Sequence, residues 1–222
     1  MIVTIDGPAG AGKSSVARLL AQRLGFEFLD TGAMYRAVTL AALGHHVDLT
    51  DQAALEKLVA GLSLEMPPGR VLLDGEDVTA RLRTAEVTAA SGAIANSAPV
   101  RRRLVEMQRA IAQGRNFVCE GRDQGTVVFP NAVCKFFLTA DPVERARRRH
   151  LEMLARGEGV RFEEVLAAQQ ARDARDAARD IAPMTPAADA VVLDTTDLTL
   201  EQVVDAMERQ VRVRLTANPQ AS

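Results

Sequence analysis

The chain has no tryptophan, one tyrosine (Tyr35), two cysteines and three lysines (Lys13, Lys57 and Lys135) among its 222 residues. Without tryptophan, and with a net charge of −2, it lacks both the aromatic stacking platform and the positive excess of a protein that coats single-stranded nucleic acid or an anionic membrane. Cys119 and Cys134 lie in apolar, strand-like runs without C-x-x-C spacing. They read as small core residues in a reducing compartment rather than as a disulfide framework or zinc site. His45 and His46 are adjacent, so they cannot share a helical face, and no Cys or third clustered His completes a metal site. A surface loop is expected for them. No apolar run approaches membrane-spanning length, and Ile2 opens strand-like residues without a basic segment and following apolar segment. No internal repeat, heptad pattern or N-K-x-D guanine motif is present. The expectation is a cytoplasmic protein, monomeric, with no nucleic-acid or membrane partner.

What is present suits one globular domain with inserted subdomains, since 47% of residues are hydrophobic and 25% charged. Of the 27 basic residues, removing the three lysines leaves 24 arginines. Codon bias accounts for the total, while particular positions suit phosphate, whose oxygens the planar guanidinium fork matches.

The informative stretch is Gly7-Pro-Ala-Gly-Ala-Gly-Lys-Ser14, which fits G-x-x-x-x-G-K-[S/T] directly behind the apolar run Ile2–Ile5. Glycines at those spacings let consecutive backbone N–H groups converge on phosphate oxygens, and a helix starting near Lys13 adds the positive end of its dipole. Lys13 would reach the β- and γ-phosphates, and the Ser14 hydroxyl would ligate Mg²⁺, whose other ligands are phosphate oxygens and water. Gly7, Pro8, Ala9, Gly10, Ala11, Gly12, Lys13, Ser14 and Ser15 are the expected contacts to a triphosphate.

Further along, Val16, Leu19, Leu20 and Leu24 share a helical face that Gly25 closes, and Phe26–Leu29 is a second strand, giving a strand–helix–strand unit. Asp30-Thr-Gly-Ala-Met-Tyr-Arg36 follows at that strand's carboxyl end; by itself it reads as a helix start capped by Asp30 or Thr31. A short helix at 52–60 precedes an antiparallel hairpin of 62–66 and 70–73. Two helices, 84–96 and 99–113, come next, and Arg101-Arg-Arg103 on the second reads by default as solvated surface. The strand 116–120 ends in Glu120-Gly-Arg-Asp123, where charges are costly to bury without purpose. Glu120 falls where a carboxylate often holds a Mg²⁺-bound water.

The strand 135–138 leads to a helix opened by Asp141-Pro-Val-Glu144, with Asp141 as cap and Glu144 at the capping-box position. That helix carries Arg145, Arg147, Arg148 and Arg149, and a helix at 162–178 puts Arg172, Asp176 and Arg179 on one face. An exposed salt-bridge ladder and a basic lid that closes on phosphates both fit this pattern. A last strand at 190–193 and a helix capped by Thr199-Leu-Glu-Gln202 finish the fold, with a frayed tail at 216–222.

These stretches, together with Gly121-Arg-Asp-Gln-Gly-Thr-Val-Val-Phe-Pro130 and Ala187-Ala-Asp-Ala-Val-Val-Leu-Asp194, resemble the bacterial cytidylate kinases, among the nucleoside monophosphate kinases, from Ile2 to about Leu215. The resemblance implies an α/β P-loop NTPase core with a parallel five-stranded sheet flanked by helices, covering 1–36, 84–147 and 165–215. It adds an NMP-binding insertion at 37–83 that holds the antiparallel hairpin, a helical lid at about 148–164, and a flexible tail. It implies transfer of the γ-phosphoryl of ATP, with Mg²⁺, to CMP or dCMP. In that reading Thr31 is an acceptor contact, Arg36 and Arg122 hold the acceptor phosphate, and Arg101, Asp123 and Arg179 approach the cytosine. Asp176 meets the sugar hydroxyls, and Arg172, Arg148 and Arg149 gather charge from the transferring phosphoryl. The chain departs from the family pattern at Gly92, where a base-contacting Ser is common and Ser91 lies next door. It departs also at Gln124, in place of an apolar residue, and at Glu120, in place of the commoner Asp. From the residues alone, a kinase for another small acceptor, a nucleotide-dependent switch or a nucleic-acid motor module are the alternatives.

Overall fold

The computed structural model describes residues 1–179 and 181–217. Two compact units make up the chain: one is Met1–Phe28 with Gly114 onward, the other Leu29–Gln113.

The first unit is built on a sheet ordered β2-β6-β1-β7-β8, from β1 (Ile2–Asp6), β2 (Glu27–Asp30, of which Glu27 and Phe28 lie in this unit), β6 (Phe117–Glu120), β7 (Cys134–Thr139) and β8 (Val191–Asp194). The strand β1 is central, running parallel to β6 through Ile5 opposite Glu120 and parallel to β7 through Ile5 opposite Phe136. Successive β1 side chains alternate between the two faces, Val3 and Ile5 on one and Thr4 on the other. Val3 and Ile5 are fully buried, and so is Thr4. α1 (Lys13–Leu24) lays Val16, Ala17, Leu20 and Ala21 on this core, joined by Val203, Val204, Met207 and Val211 of α8 (Leu200–Ala217). Thr199 and Gln202 close a reciprocal cap at the start of α8, Thr199 N–H donating to Gln202 Oε1 and Gln202 N–H to Thr199 Oγ1. α8 includes residues 216 and 217 of the expected tail, and the rest of that tail, 218–222, lies outside the described residues. Cys119 and Cys134 are buried and unbridged, and burial raises both thiols above their ordinary range.

α6 (Pro142–Ala155) and α7 (Phe162–Ala177) pack on one another. Asp141 caps α6 as expected, accepting from Val143 N and Glu144 N. The capping box does not form. Asp141 N–H donates instead to Thr196 Oγ1 at 2.9 Å, and Glu144 is drawn to Arg147 and Arg148, whose bonds hold its carboxyl down at about 2.

The second unit contains α2 (Thr31–Gly44), α3 (Gln52–Gly61), α4 (Ala85–Asn96), α5 (Ala98–Ala112) and a small antiparallel sheet. That sheet has three strands rather than the two of the expected hairpin: β3 (Leu64–Glu65), β4 (Leu72–Leu73) and β5 (Glu76–Asp77). Asp74 and Gly75, with φ of 50° and 83°, form the tight turn that folds β5 back on β4. His45 and His46 are exposed at the end of α2. The solvated reading of Arg101-Arg-Arg103 fails at its first residue. Arg101 is buried because Ser97, Arg101, Leu104 and Gln108, spaced 4, 3 and 4, form the inward face of α5. Among the described residues no helix is long and apolar enough to cross a membrane.

Candidate active site

The loop after β1 is held by close approach. A Cβ on Gly7 (φ 136°) would lie 2.0 Å from the Leu138 carbonyl oxygen of β7, so no side chain fits between the two strands. The loop then turns into α1, whose first residue, Lys13, is buried and donates from Nζ to Pro8 O at 2.6 Å. Burial first, and then the guanidinium charges of Arg122 and Arg172, push the Lys13 ammonium well below its ordinary value, with Glu120 and Asp6 opposing. An anion placed among these cations would relieve their mutual repulsion.

Ser14 Oγ donates to Glu120 Oε2 at 2.9 Å, joining the first turn of α1 to the end of β6. Both are hard oxygen donors of the kind Mg²⁺ takes, and Mg²⁺ keeps waters and phosphate oxygens for its other positions. Among the described residues no three His, Cys, Asp or Glu side chains converge as a metal cage. The residues present therefore fit an ion carried in with a nucleotide.

Behind Glu120 the chain makes a π-helical turn, Gln124–Val128, and Asp6 holds its start. The Asp6 carboxylate is buried and accepts from Gln124 N at 2.9 Å and Gly125 N at 2.8 Å. Burial raises its pKa to about 6, with the two N–H bonds opposing and the charge of Asp123 reinforcing. Gln124, one of the departures from the family pattern, is itself buried and supplies one of those N–H groups. Arg122 donates from Nε to Asp176 Oδ2 at 3.2 Å, Arg179 pairs with Asp176 Oδ1, and Arg172 Nε stands 4.0 Å from Oδ2. Asp176, 5% exposed along its side chain, thus gathers three guanidiniums. Arg172 is the most exposed of them at 39%, against 20% for Arg122 and 11% for Arg179.

This unit brings together Lys13, Ser14, Glu120, Arg122, Asp123, Arg172, Asp176 and Arg179. Arg148 points elsewhere, with Nη2 donating to Thr195 O at 2.6 Å and Nη1 to Thr195 Oγ1 at 3.1 Å in the loop after β8. Arg149 pairs with Glu152 on its own helix at 3.2 Å. In the second unit Asp30 caps α2 by accepting from Ala33 N at 2.8 Å, with Thr31 buried beside it. Arg36 Nη2 lies 3.2 Å from Asp30 Oδ2, and Arg83 Nη2 3.6 Å from the same oxygen. Arg101 donates to Ala95 O at 3.4 Å, its guanidinium 5.9 Å from the Tyr35 ring centroid. Ser91 Oγ donates to Thr88 O of its own helix at 2.9 Å, and a Cβ on Gly92 would meet nothing within 4 Å.

Asp6 and Arg145 are among the residues that escaped the sequence reading. Asp6 carries the signal that singled out Glu120, a charge at the carboxyl end of a buried strand. Arg145, buried in the first turn of α6, donates from Nε to Ala140 O at 3.0 Å and from Nη1 to Ala9 O at 3.1 Å, and pairs with Asp173. Its position beside the carboxyl end of β7 is what separates it from its neighbouring arginines.

A phosphate-binding loop at the carboxyl end of a central parallel strand, a buried lysine, a Ser–carboxylate pair and an arginine cluster define a P-loop phosphotransferase. A shikimate kinase structure from Bacteroides thetaiotaomicron shares the fold, with a TM-score of 0.51 at 12% identity over 96% of this chain and 98% of that one. The cytidylate kinase family model matches residues 3–213, and the chain belongs to that family. It is 48% identical to a cytidylate kinase of Citrifermentans bemidjiense, over 97% of this chain and 94% of the relative. It is 49% identical to one of Pelotomaculum thermopropionicum, over 94% and 95%.

Proposed function

We propose that the protein phosphorylates CMP and dCMP with ATP and Mg²⁺, as a cytoplasmic monomer. The observation that carries this reading is membership of the cytidylate kinase family over residues 3–213. An oxygen of the acceptor phosphate forms a bond to the γ-phosphorus as the bond to the ADP oxygen breaks, giving CDP or dCDP and ADP. The acceptor supplies its own nucleophile, so the protein's task is positioning and spreading positive charge. Ser14 and Glu120 are the residues that would hold Mg²⁺, which would supply positive charge against the triphosphate.

Lys13 neutralises the transferring end of the triphosphate, and residues 7–15 wrap it with backbone N–H groups. Arg36 and Arg122 receive the acceptor phosphate. Arg172, the most exposed guanidinium on Asp176, turns onto the transferring phosphoryl, with Arg148 and Arg149 contributing as the lid at 148–164 moves. Asp123 accepts from the cytosine amino group, with Thr31, Arg101 and Arg179 as further acceptor contacts and Asp176 at the sugar. The segment 37–83 is the acceptor-binding insertion. The direct test is product identity: with ATP, Mg²⁺ and CMP, phosphorus NMR must show CDP and ADP forming in equal amounts, and ADP with inorganic phosphate instead would refute it.

A further inference from the structure

Two side chains of the α6–α7 pair end on one carbonyl of the phosphate loop. Gln169 Nε2 of α7 donates to Ala9 O at 3.1 Å, and Arg145 Nη1 of α6 donates to the same oxygen at 3.1 Å. Both side chains are more than nine-tenths buried. They press on the loop as well: a Cβ on Gly10 (φ 78°) would lie 2.5 Å from Gln169 Nε2 and 2.8 Å from Arg145 O. Arg145 is fixed in turn by Asp173 and by Ala140 O.

The consequence for the loop follows from peptide planarity. In a trans peptide the carbonyl of one residue and the N–H of the next point in opposite directions. Two donors on Ala9 O therefore turn the Gly10 N–H to the opposite side, away from α6 and α7. Left to itself, the peptide between Ala9 and a glycine has more freedom to rotate than almost any other.

Gln169 also bears a cost that the fold alone does not require. Its Oε1 is buried without a hydrogen-bond partner among the described residues, and an unsatisfied buried acceptor is destabilising. A methionine of similar length would avoid that cost. The amide cannot be reversed, since that would set Oε1 against Ala9 O, acceptor against acceptor.

We propose that Gln169 and Arg145 are positioning residues for the triphosphate: from the roots of the segment 148–164 they clamp the Ala9 carbonyl so that the Gly10 N–H is presented to a nucleotide phosphate. This rests on the phosphotransferase reading above, but its test does not involve the acceptor. In Gln169→Met, ADP binding measured by titration calorimetry weakens about three- to tenfold, while the melting temperature is unchanged or raised. In turnover the KM for ATP rises by a similar factor and the KM for CMP stays within about twofold. Gln169→Glu, which puts a carboxylate against Ala9 O, binds ADP more weakly still. ADP affinity within twofold of the parent protein in Gln169→Met overturns the inference. So does a marked fall in its melting temperature, which would make Gln169 a packing residue. Failure to phosphorylate CMP with the ADP effect intact would instead strike only the acceptor assignment.

Discussion

Ser14 on α1 and Glu120 at the end of β6 meet through a 2.9 Å hydrogen bond from the serine hydroxyl to Glu120 Oε2. They are 106 positions apart in sequence, and adjacent parallel strands deliver them to one point. Glu120→Gln keeps the size of the side chain and removes the charge that Mg²⁺ and its waters need. We expect kcat to fall about 10–100-fold and the Mg²⁺ concentration for half-maximal rate to rise, as for residues that orient a metal's ligands. A magnesium titration of initial rate checks this, and an unchanged midpoint removes Glu120 from the metal site.

Asp6 makes stability depend on pH. Its folded pKa is about 6 against an ordinary 3.8, so between those values the folded chain binds a proton that the unfolded chain has released. The stability this contributes is complete below about pH 4 and is lost as the pH rises through about 6. Relative to Asp6→Asn, which cannot ionise, the unfolding free energy should fall by on the order of 3 kcal/mol across that window. Urea denaturation of both proteins at several pH values reads the difference, and a flat difference contradicts the assignment.

Asp176 balances Arg122 and Arg179 in a buried setting. Asp176→Ala removes the buried carboxylate that Arg122 and Arg179 share and should cost about 3–5 kcal/mol of unfolding free energy, as breaking one side of a buried ion pair does. Urea melts measure it; a loss under about 1 kcal/mol, the worth of an exposed pair, would show that the cluster is solvated.

The sequence made the first strand, phosphate loop and α1 legible because glycine spacing, Lys13 and a change of hydrophobic period all agree there. Arg101 was legible in principle, since its burial follows the helical spacing from Ser97 to Gln108, but three consecutive arginines suggest solvent when read as a run. The strand β5 escaped because two exposed acidic residues show no alternation, although the Asp74-Gly75 turn marks where the chain reverses. The clamps made by Arg145 and Gln169 had no local signature: each joins residues more than a hundred positions apart, and only the packed helices and loop bring them together.

Ser91 and Gly92 give a prediction about the departure from the family pattern. The Ser91 hydroxyl is committed to Thr88 O within α4, so Ser91→Ala should leave the KM for CMP within about twofold, as expected for loss of no substrate bond. Gly92 sits mid-helix with open space around its Cβ position, so Gly92→Ala should stabilise the protein by about 0.5–1 kcal/mol. Steady-state kinetics and thermal melts test the pair; a large rise in KM for Ser91→Ala would mean that the hydroxyl turns to the base.

This phosphotransferase should select cytosine monophosphates over the other nucleoside monophosphates. Initial rates of ADP release with ATP, Mg²⁺ and each of CMP, dCMP, UMP, AMP and GMP, at equal subsaturating concentration, test it most directly. CMP and dCMP should react much faster than the other three. Equal rates across the five, or none with CMP, would contradict it.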